Sequence, residues 1–310
     1  MNYTLGIDIG GTNIKAGLVQ EGKITKKINL PTSSAEGPTI CLNRIKSIIE
    51  RFITSVSKIG IGIAGIIDSQ KGIVRYSPNL KGWQDIELRR ILEEEFKKPV
   101  GILNDVNAIL LGEWVYGAGR GCKNAFLFTL GTGVGGAAIC EGKMLFGAHG
   151  FAGEFGHTVI NFNGPRCLCG NYGCLERYTG ARYIVALAQR KMRKEKSSLS
   201  KYKVLTPKVI AQEARRNDKV AREVFETIGN YIGIGVSNII NLFDPEVVIV
   251  SGGIARAGKV LFEPIRKTVQ ARILGFNYRK VKILPARLGD NGGILGASYF
   301  VQQNLLDFFR

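Results

Sequence analysis

Short apolar runs recur along the chain, each breaking into glycine, and longer segments of helical period separate them. Two blocks follow one plan. LGIDIGGTNIKAGLVQEGK (5–23) and FTLGTGVGGAAICEGK (128–143) each read as an apolar strand, a glycine-rich turn, a second apolar strand and an EGK hairpin turn. SKIGIGIAGIID (57–68) and PEVVIVSGGIARAG (245–258) form a second matched pair, both β-branched runs that end in glycine. The repetition predicts a duplicated chain with two similar α/β halves.

Helical segments fill the intervals. DIELRRILEEEFKK (85–98) is expected to be capped by Asp85 and stopped by Pro99, and Thr206-Pro207 makes a cap and first-turn pair. The EGK hairpins require antiparallel pairs at one side of each sheet, so the sheets should be mixed. At 310 residues the chain suits two domains of ordinary size with a cleft between them. The expected division is 1–115 and 116–295, with the final helix, 296–310, as a candidate to return to the first domain.

Composition narrows the class. A hydrophobic share of 45% and a charged share of 22% describe a globular protein with no disordered tract. MNYTLGIDIGG carries neither a basic leader nor an apolar core, and no run reaches the length of a membrane span, so a cytoplasmic protein with no membrane partner is expected. The formal net charge of +18 and the basic run QRKMRKEKSSLSKYK (189–203) invite a nucleic-acid reading. The run lacks interleaved aromatics beyond Tyr202 and any zinc-finger or RNA-binding fingerprint, so it reads as a solvated face without specific nucleic-acid binding.

The 40 glycines cluster in DIGGTN, GTGVGG, SGGIARAG and GDNGG, loops that offer backbone N–H groups to phosphate. GTGVGG fits the dinucleotide fingerprint in letters alone, because the AAIC that follows is a strand signal rather than a helix opening. GIARAGKV misses the P-loop by one residue, since Val260 stands where a hydroxyl must hold magnesium. Asp8, just before the first glycines, either caps the turn or holds Mg²⁺ through water near the β- and γ-phosphates. Thr12 is a candidate phosphate contact, and Lys15 reads as a surface residue.

PVGILNDVNAILLGEW (99–114) reads as a buried strand ending in Asn104-Asp105 and followed by a helix. Asp105 either caps that helix or accepts the proton of a substrate hydroxyl. GEFGH and CLCGNYGCLE supply Glu154, His157 and Glu176, a set suited to sugar hydroxyls. His157, Cys167, Cys169 and Cys174 have the ligand count and softness of a closed, structural Zn²⁺ site, and one nitrogen of His157 can hold the metal while the other faces substrate. The alternative is a group of reduced, packed cysteines. His149 reads as a loop residue.

Taken in order, GIDIGGTNIK, LNDVNA, GTGVGG, GEFGH, CLCGNYGCLE and SGGI resemble the ROK family over nearly the whole chain. That resemblance implies a two-domain actin-like ATPase fold, of duplicated ribonuclease H-like α/β halves with mixed sheets and a central cleft, binding ATP and Mg²⁺, with a structural Zn²⁺ and usually a homodimer. It implies Asp105 as the base and Gly65, Asn79, Asn104, Glu154, His157 and Glu176 at the sugar. It also implies that Gly10, Gly11, Gly131, Gly133, Gly252 and Gly253, with Asp8, Thr12 and Thr132 beside them, lie at the nucleotide. SPNLKGWQDIEL (77–88) is most similar to the glucokinase branch, so glucose is the first expected substrate, and N-acetylmannosamine or N-acetylglucosamine comes next. A sugar-responsive repressor is the alternative of a different class. Such repressors carry a helix-turn-helix before the first strand, whereas GIDIGG begins at residue 6, so an enzyme is expected.

Overall fold

Strands β1 (Tyr3–Ile9) and β2 (Asn13–Gln20) flank the first glycine turn, and β3 (Lys23–Pro31) follows across the two-residue turn Glu21-Gly22. Both turn residues have positive φ, 49° and 73°, the type I′ geometry that matches strand twist. Helix α1 (Pro38–Glu50) then leads into β4 (Val56–Ile63), a small antiparallel sheet of β5 (Ile66–Asp68), β6 (Ile73–Tyr76) and β7 (Gln84–Ile86), helix α2 (Leu88–Phe96), β8 (Val100–Asn104) and helix α3 (Asp105–Tyr116). The main sheet runs β3-β2-β1-β4-β8, with β1, β4 and β8 parallel and the hairpin antiparallel. One face of its central strands is a buried apolar layer of Leu5, Ile7, Ile9, Ile59, Ile61 and Ile63, and the other, carrying Gly6, Gly60 and Gly62, lies close against α3 and the helix Gly292–Gln302.

The second half repeats this plan. Strands β9 (Ala125–Leu130) and β10 (Val134–Cys140) flank GTGVGG, and β11 (Lys143–Met144) follows across Glu141-Gly142, again with φ of 49° and 75°. After α4 (Glu176–Thr179), α5 (Ala181–Met192), α6 (Pro207–Arg215) and α7 (Lys219–Phe243) come β12 (Val247–Ser251), α8 (Lys259–Arg272), β13 (Lys282–Pro285) and α9 (Gly292–Gln302). This sheet runs β11-β10-β9-β12-β13, the order of the first sheet strand for strand, with β9, β12 and β13 parallel. The duplication read from the glycine pattern is thus a duplication of topology.

The computed structural model describes residues 3–303. It divides into two compact units, one of Met1–Cys122, Ala138–Gly153 and Arg287–Arg310, the other of Lys123–Ala137 and Glu154–Ala286. No change of composition signals that Ala138–Gly153 clusters with the first unit. The end of the expected C-terminal helix, 304–310, lies outside the described residues. Helix α9 itself packs against α3, β1 and β4 in a groove floored by glycine. A Cβ at Gly60 would run into the carbonyl of Ala297, and one at Gly296 into that of Ala108.

One cap differs from expectation. Asp85 lies in β7 at φ 48° and pairs with Arg75 at 3.1 Å, and α2 begins at Leu88 after an uncapped Glu87. The strand pairing of Gln84 and Ile86 with β6 takes the residues that a cap at Asp85 would need. The stop is as read: Lys97 adopts a left-handed conformation two residues before Pro99. Thr206 caps α6 by accepting the Val209 N–H, with Pro207 at the first helical position. Among the described residues no helix is long and apolar enough to cross a membrane.

Candidate functional site

In the first unit the strand-end carboxylates come together. Asp8 pairs in register with Gly62 across β1 and β4, and the missing Cβ of Gly62 lets the Cα of Asp105 approach to 3.6 Å of where that Cβ would stand. Asp105 is the first residue of α3, but the cap is Asn104, whose Oδ1 accepts the N–H groups of Val106 (2.8 Å) and Asn107 (3.2 Å). The capping role considered for Asp105 is thus taken by Asn104. The Asp105 carboxylate lies at the positive end of α3, where the helix dipole favours its charge.

Burial, and next the charge of Asp105, push the Asp8 carboxyl up to about 7, with Lys15 and Lys27 opposing and Asp290 adding to the rise. Because the folded value exceeds the unfolded one, Asp8 binds a proton on folding, and its contribution to stability falls as pH rises from about 4 to about 7. A half-buried carboxylate held beside a second one is a fitting place for a divalent cation, which would relieve both burial and repulsion. Gly293, in the first turn of α9, backs this carboxyl: a Cβ there would lie 2.6 Å from the Asp8 Cγ. GDNGG, read as a possible phosphate loop, is the short turn Gly289–Asn291 that starts α9. Lys15, read as a surface residue, is partly buried and pairs with Asp290 at 3.1 Å.

The residues expected at the sugar in this unit also cluster. The Asn104 Nδ2 donates to the Gly65 carbonyl at 2.9 Å. A Cβ on Gly11 would lie 3.3 Å from the Cβ of Asn79, which brings the first glycine turn beside SPNLKGW. Ser77, buried next to Gly65, has no hydrogen-bond partner for its hydroxyl among the described residues. Thr32, fully buried, fastens the turn, since its Oγ1 donates to the Gly10 carbonyl at 2.7 Å and its N–H to the Thr12 carbonyl at 2.8 Å. Sequence reading missed Thr32 and Ser77, because a lone hydroxyl after a strand has no distinguishing spacing. Gly65 sits at φ 133°, where a Cβ would lie 2.5 Å from the Tyr76 carbonyl. Gly65→Ala is expected to cost about 1–3 kcal/mol and to raise the KM for sugar, read by thermal melting and initial rates. An unchanged KM would detach this turn from the sugar.

In the second unit the loop after β9 is followed by β10, so no helix opens behind GTGVGG and the dinucleotide fingerprint fails as its context predicts. The Glu176 Oε2 accepts the Val134 N–H at 2.9 Å, and the Ala181 N–H donates to the Gly131 carbonyl. Glu176 thus ties α4 to the base of this loop, a duty that its motif did not announce. Among the described residues, chain neighbours aside, no atom stands within 4 Å of a Cβ placed on Gly131 or Gly253, which leaves room beside their backbone. Gly252 has φ 92° and lies against the Leu130 carbonyl.

The predicted metal ligands assemble in the same unit. His157, Cys167, Cys169 and Cys174 bring their ligand atoms within 4.8 Å of one another. The sulfurs of Cys169 and Cys174 are 3.7 Å apart, and His157 Nδ1 lies 4.0 Å from the Cys167 sulfur. A tetrahedron with Zn–S bonds of about 2.3 Å has S–S edges of about 3.8 Å, whereas a disulfide needs about 2.05 Å. The set fits a four-coordinate zinc with Nδ1 as its nitrogen ligand. Nε2 then faces Glu154, whose Oε2 is 4.0 Å away. Without a cation, burial and next the hydrogen bonds with Cys169 and Cys167 push the Cys174 thiol up to about 12, so metal binding must displace its proton.

The ROK family pattern matches residues 4–304. A glucokinase of Halalkalibacterium halodurans is 36% identical over 97% of this chain and 95% of its own length. A xylose repressor of Bacillus spizizenii is 34% identical over 99% of this chain and 79% of its own. Among solved structures, a ROK family glucokinase from Streptomyces griseus in complex with glucose and AMPPNP superposes with a TM-score of 0.85 at 32% identity, covering 98% of this chain and all of that one.

Proposed function

Because the chain belongs to the ROK family and has its actin-like ATPase fold, we propose that it is an ATP-dependent hexose kinase that converts glucose to glucose 6-phosphate. The observation that carries this reading lies within the first unit: Asn104 takes over the capping of α3, and Asp105 stands beside Asp8 across Gly62. The likeness to a glucokinase holding glucose and AMPPNP supports the sugar and the nucleotide.

In this mechanism Asp105 accepts the proton of the sugar hydroxyl as its oxygen forms a bond to the γ-phosphorus. The bond from that phosphorus to the bridging oxygen breaks, its electrons leave with ADP, and the proton stays on Asp105. Asp8 would hold Mg²⁺ through water, and the ion would supply neutralisation of the phosphate charge. Backbone N–H groups of the Gly10–Thr12 turn, of the Gly131–Gly133 loop and at Gly252 and Gly253 are assigned to the phosphates. Asn79, Asn104 and the backbone at Gly65 are assigned to orienting the sugar. Glu154, His157 and Glu176 are assigned to its hydroxyls, and a zinc held by His157, Cys167, Cys169 and Cys174 would steady them.

The likeness to a xylose repressor favours one other reading, a sugar-responsive regulator without turnover. A coupled assay of ADP release from Mg-ATP with glucose, mannose, fructose, allose, N-acetylglucosamine and N-acetylmannosamine separates the two. Turnover dominated by glucose is the expected result. Turnover dominated by a 2-acetamido sugar would replace the substrate, and sugar binding with no turnover would replace the class.

A further inference from the structure

Glu113, in the last turn of α3, is fully buried and has no place in the chemistry proposed above. A buried carboxylate is costly unless its oxygens are satisfied. Here main-chain donors meet both oxygens: Oε2 accepts the N–H groups of Ala118 (2.8 Å) and Arg287 (3.0 Å), and Oε1 accepts that of Leu288 (2.7 Å). The Glu113 carbonyl also receives the N–H groups of Gly117 and Gly119. One side chain therefore joins the turn that leaves α3 to the segment that enters α9, 174 residues further along the chain.

What those two helices carry gives the clamp its meaning. Helix α3 begins with Asp105, and the first turn of α9 backs the Asp8 carboxyl through Gly293. Between them the packing is backbone on backbone: a Cβ at Gly112 would collide with the Gly292 carbonyl, and one at Gly296 with that of Ala108. Such a contact has no side chains to absorb a shift, so a displacement at Arg287–Leu288 passes along α9 to the Asp8 carboxyl.

We propose that Glu113 is a positioning residue which, by tying α3 to the backbone of Arg287–Leu288, fixes the Asp8 carboxyl relative to Asp105. The inference rests on the kinase reading for its kinetic consequence and on the structure alone for the clamp. Glu113→Gln tests both, since it keeps the shape but sets an amide donor against a main-chain N–H. Misplacement of reacting groups costs about 10–100-fold in rate. Expected results are a kcat lower by that factor, a sugar KM within about threefold of the parent, and faster amide exchange at 287–294 and 105–107. Leu92→Ala, at a buried position in α2, is the control. It should lower the melting temperature without separating kcat from KM.

Wild-type kcat in Glu113→Gln, or unchanged exchange at 287–294, would overturn the proposal. A parent protein that transfers phosphate to no sugar would defeat the kinase reading alone, and the exchange pattern would still decide the clamp.

Discussion

Asp105→Asn is expected to lower kcat by about 10²–10⁴ while sugar affinity and melting temperature stay close to those of the parent. The size follows from the role: a positioned base removes a proton as the oxygen attacks, and an amide of the same shape cannot take that proton. Retained folding follows from Asn104, which supplies both capping bonds of α3, so the helix keeps its start when Asp105 changes. Relief of the repulsion with Asp8, second among the causes of its raised pKa, should also make the folded protein slightly more stable above pH 7. Initial rates with Mg-ATP, sugar titration calorimetry and thermal melting read the three quantities. A kcat within threefold of the parent would remove Asp105 as the base. Loss of sugar binding in step with kcat would make it a binding residue instead.

Why Asp105 stood out in the sequence, and Glu113 did not, is a matter of spacing. Strands that end in glycine or in Asn-Asp carry a local signature: the change of period and the polar pair at its end mark the place where backbone or carboxylate meets solvent. The duplicated glycine turns, the EGK hairpins and the Thr206 cap share that property, since each is settled by residues within a few positions of one another. So does the His157, Cys167, Cys169 and Cys174 set, whose unusual residue types are concentrated in one stretch. Glu113 makes its bonds to Arg287 and Leu288, and Thr32 to Gly10 and Thr12, across separations that no local pattern encodes. Asp85 shows the opposite failure: a plausible local cap lost to tertiary pairing, because the third strand of the small sheet claimed its neighbours. The return of the final helix to the first unit was raised from its place at the end of the chain, but the groove that receives α9 was not legible. That groove is cut by Gly6, Gly60 and Gly112, which touch α9 from separate elements, and Gly296 of α9 itself lets the helix close on Ala108.

Cys174→Ser is expected to remove the metal and much of the rigidity of the loop it closes. A metal clip between His157 and Cys174 closes a loop of under twenty residues, which in the chain-entropy account is worth about 3 kcal/mol. For a unit of this size that is a fall of about 6–12 °C in melting temperature. Serine is a poor zinc ligand, and its hydroxyl would be buried where Cys174 is fully enclosed, so partial occupancy should not rescue it. The consequence reaches the proposed chemistry because Glu154 and Glu176 flank this loop, and Glu176 also holds the Val134 N–H. The KM for sugar should therefore rise with the loss of metal, whereas Cys140→Ser, outside the cluster, should change neither metal content nor KM. Elemental analysis of the parent should give about one zinc per chain. A fully active parent purified without metal would leave three reduced, packed cysteines as the correct reading. A Cys169–Cys174 disulfide found by mass mapping would mean that the 3.7 Å approach of their sulfurs serves oxidation rather than coordination.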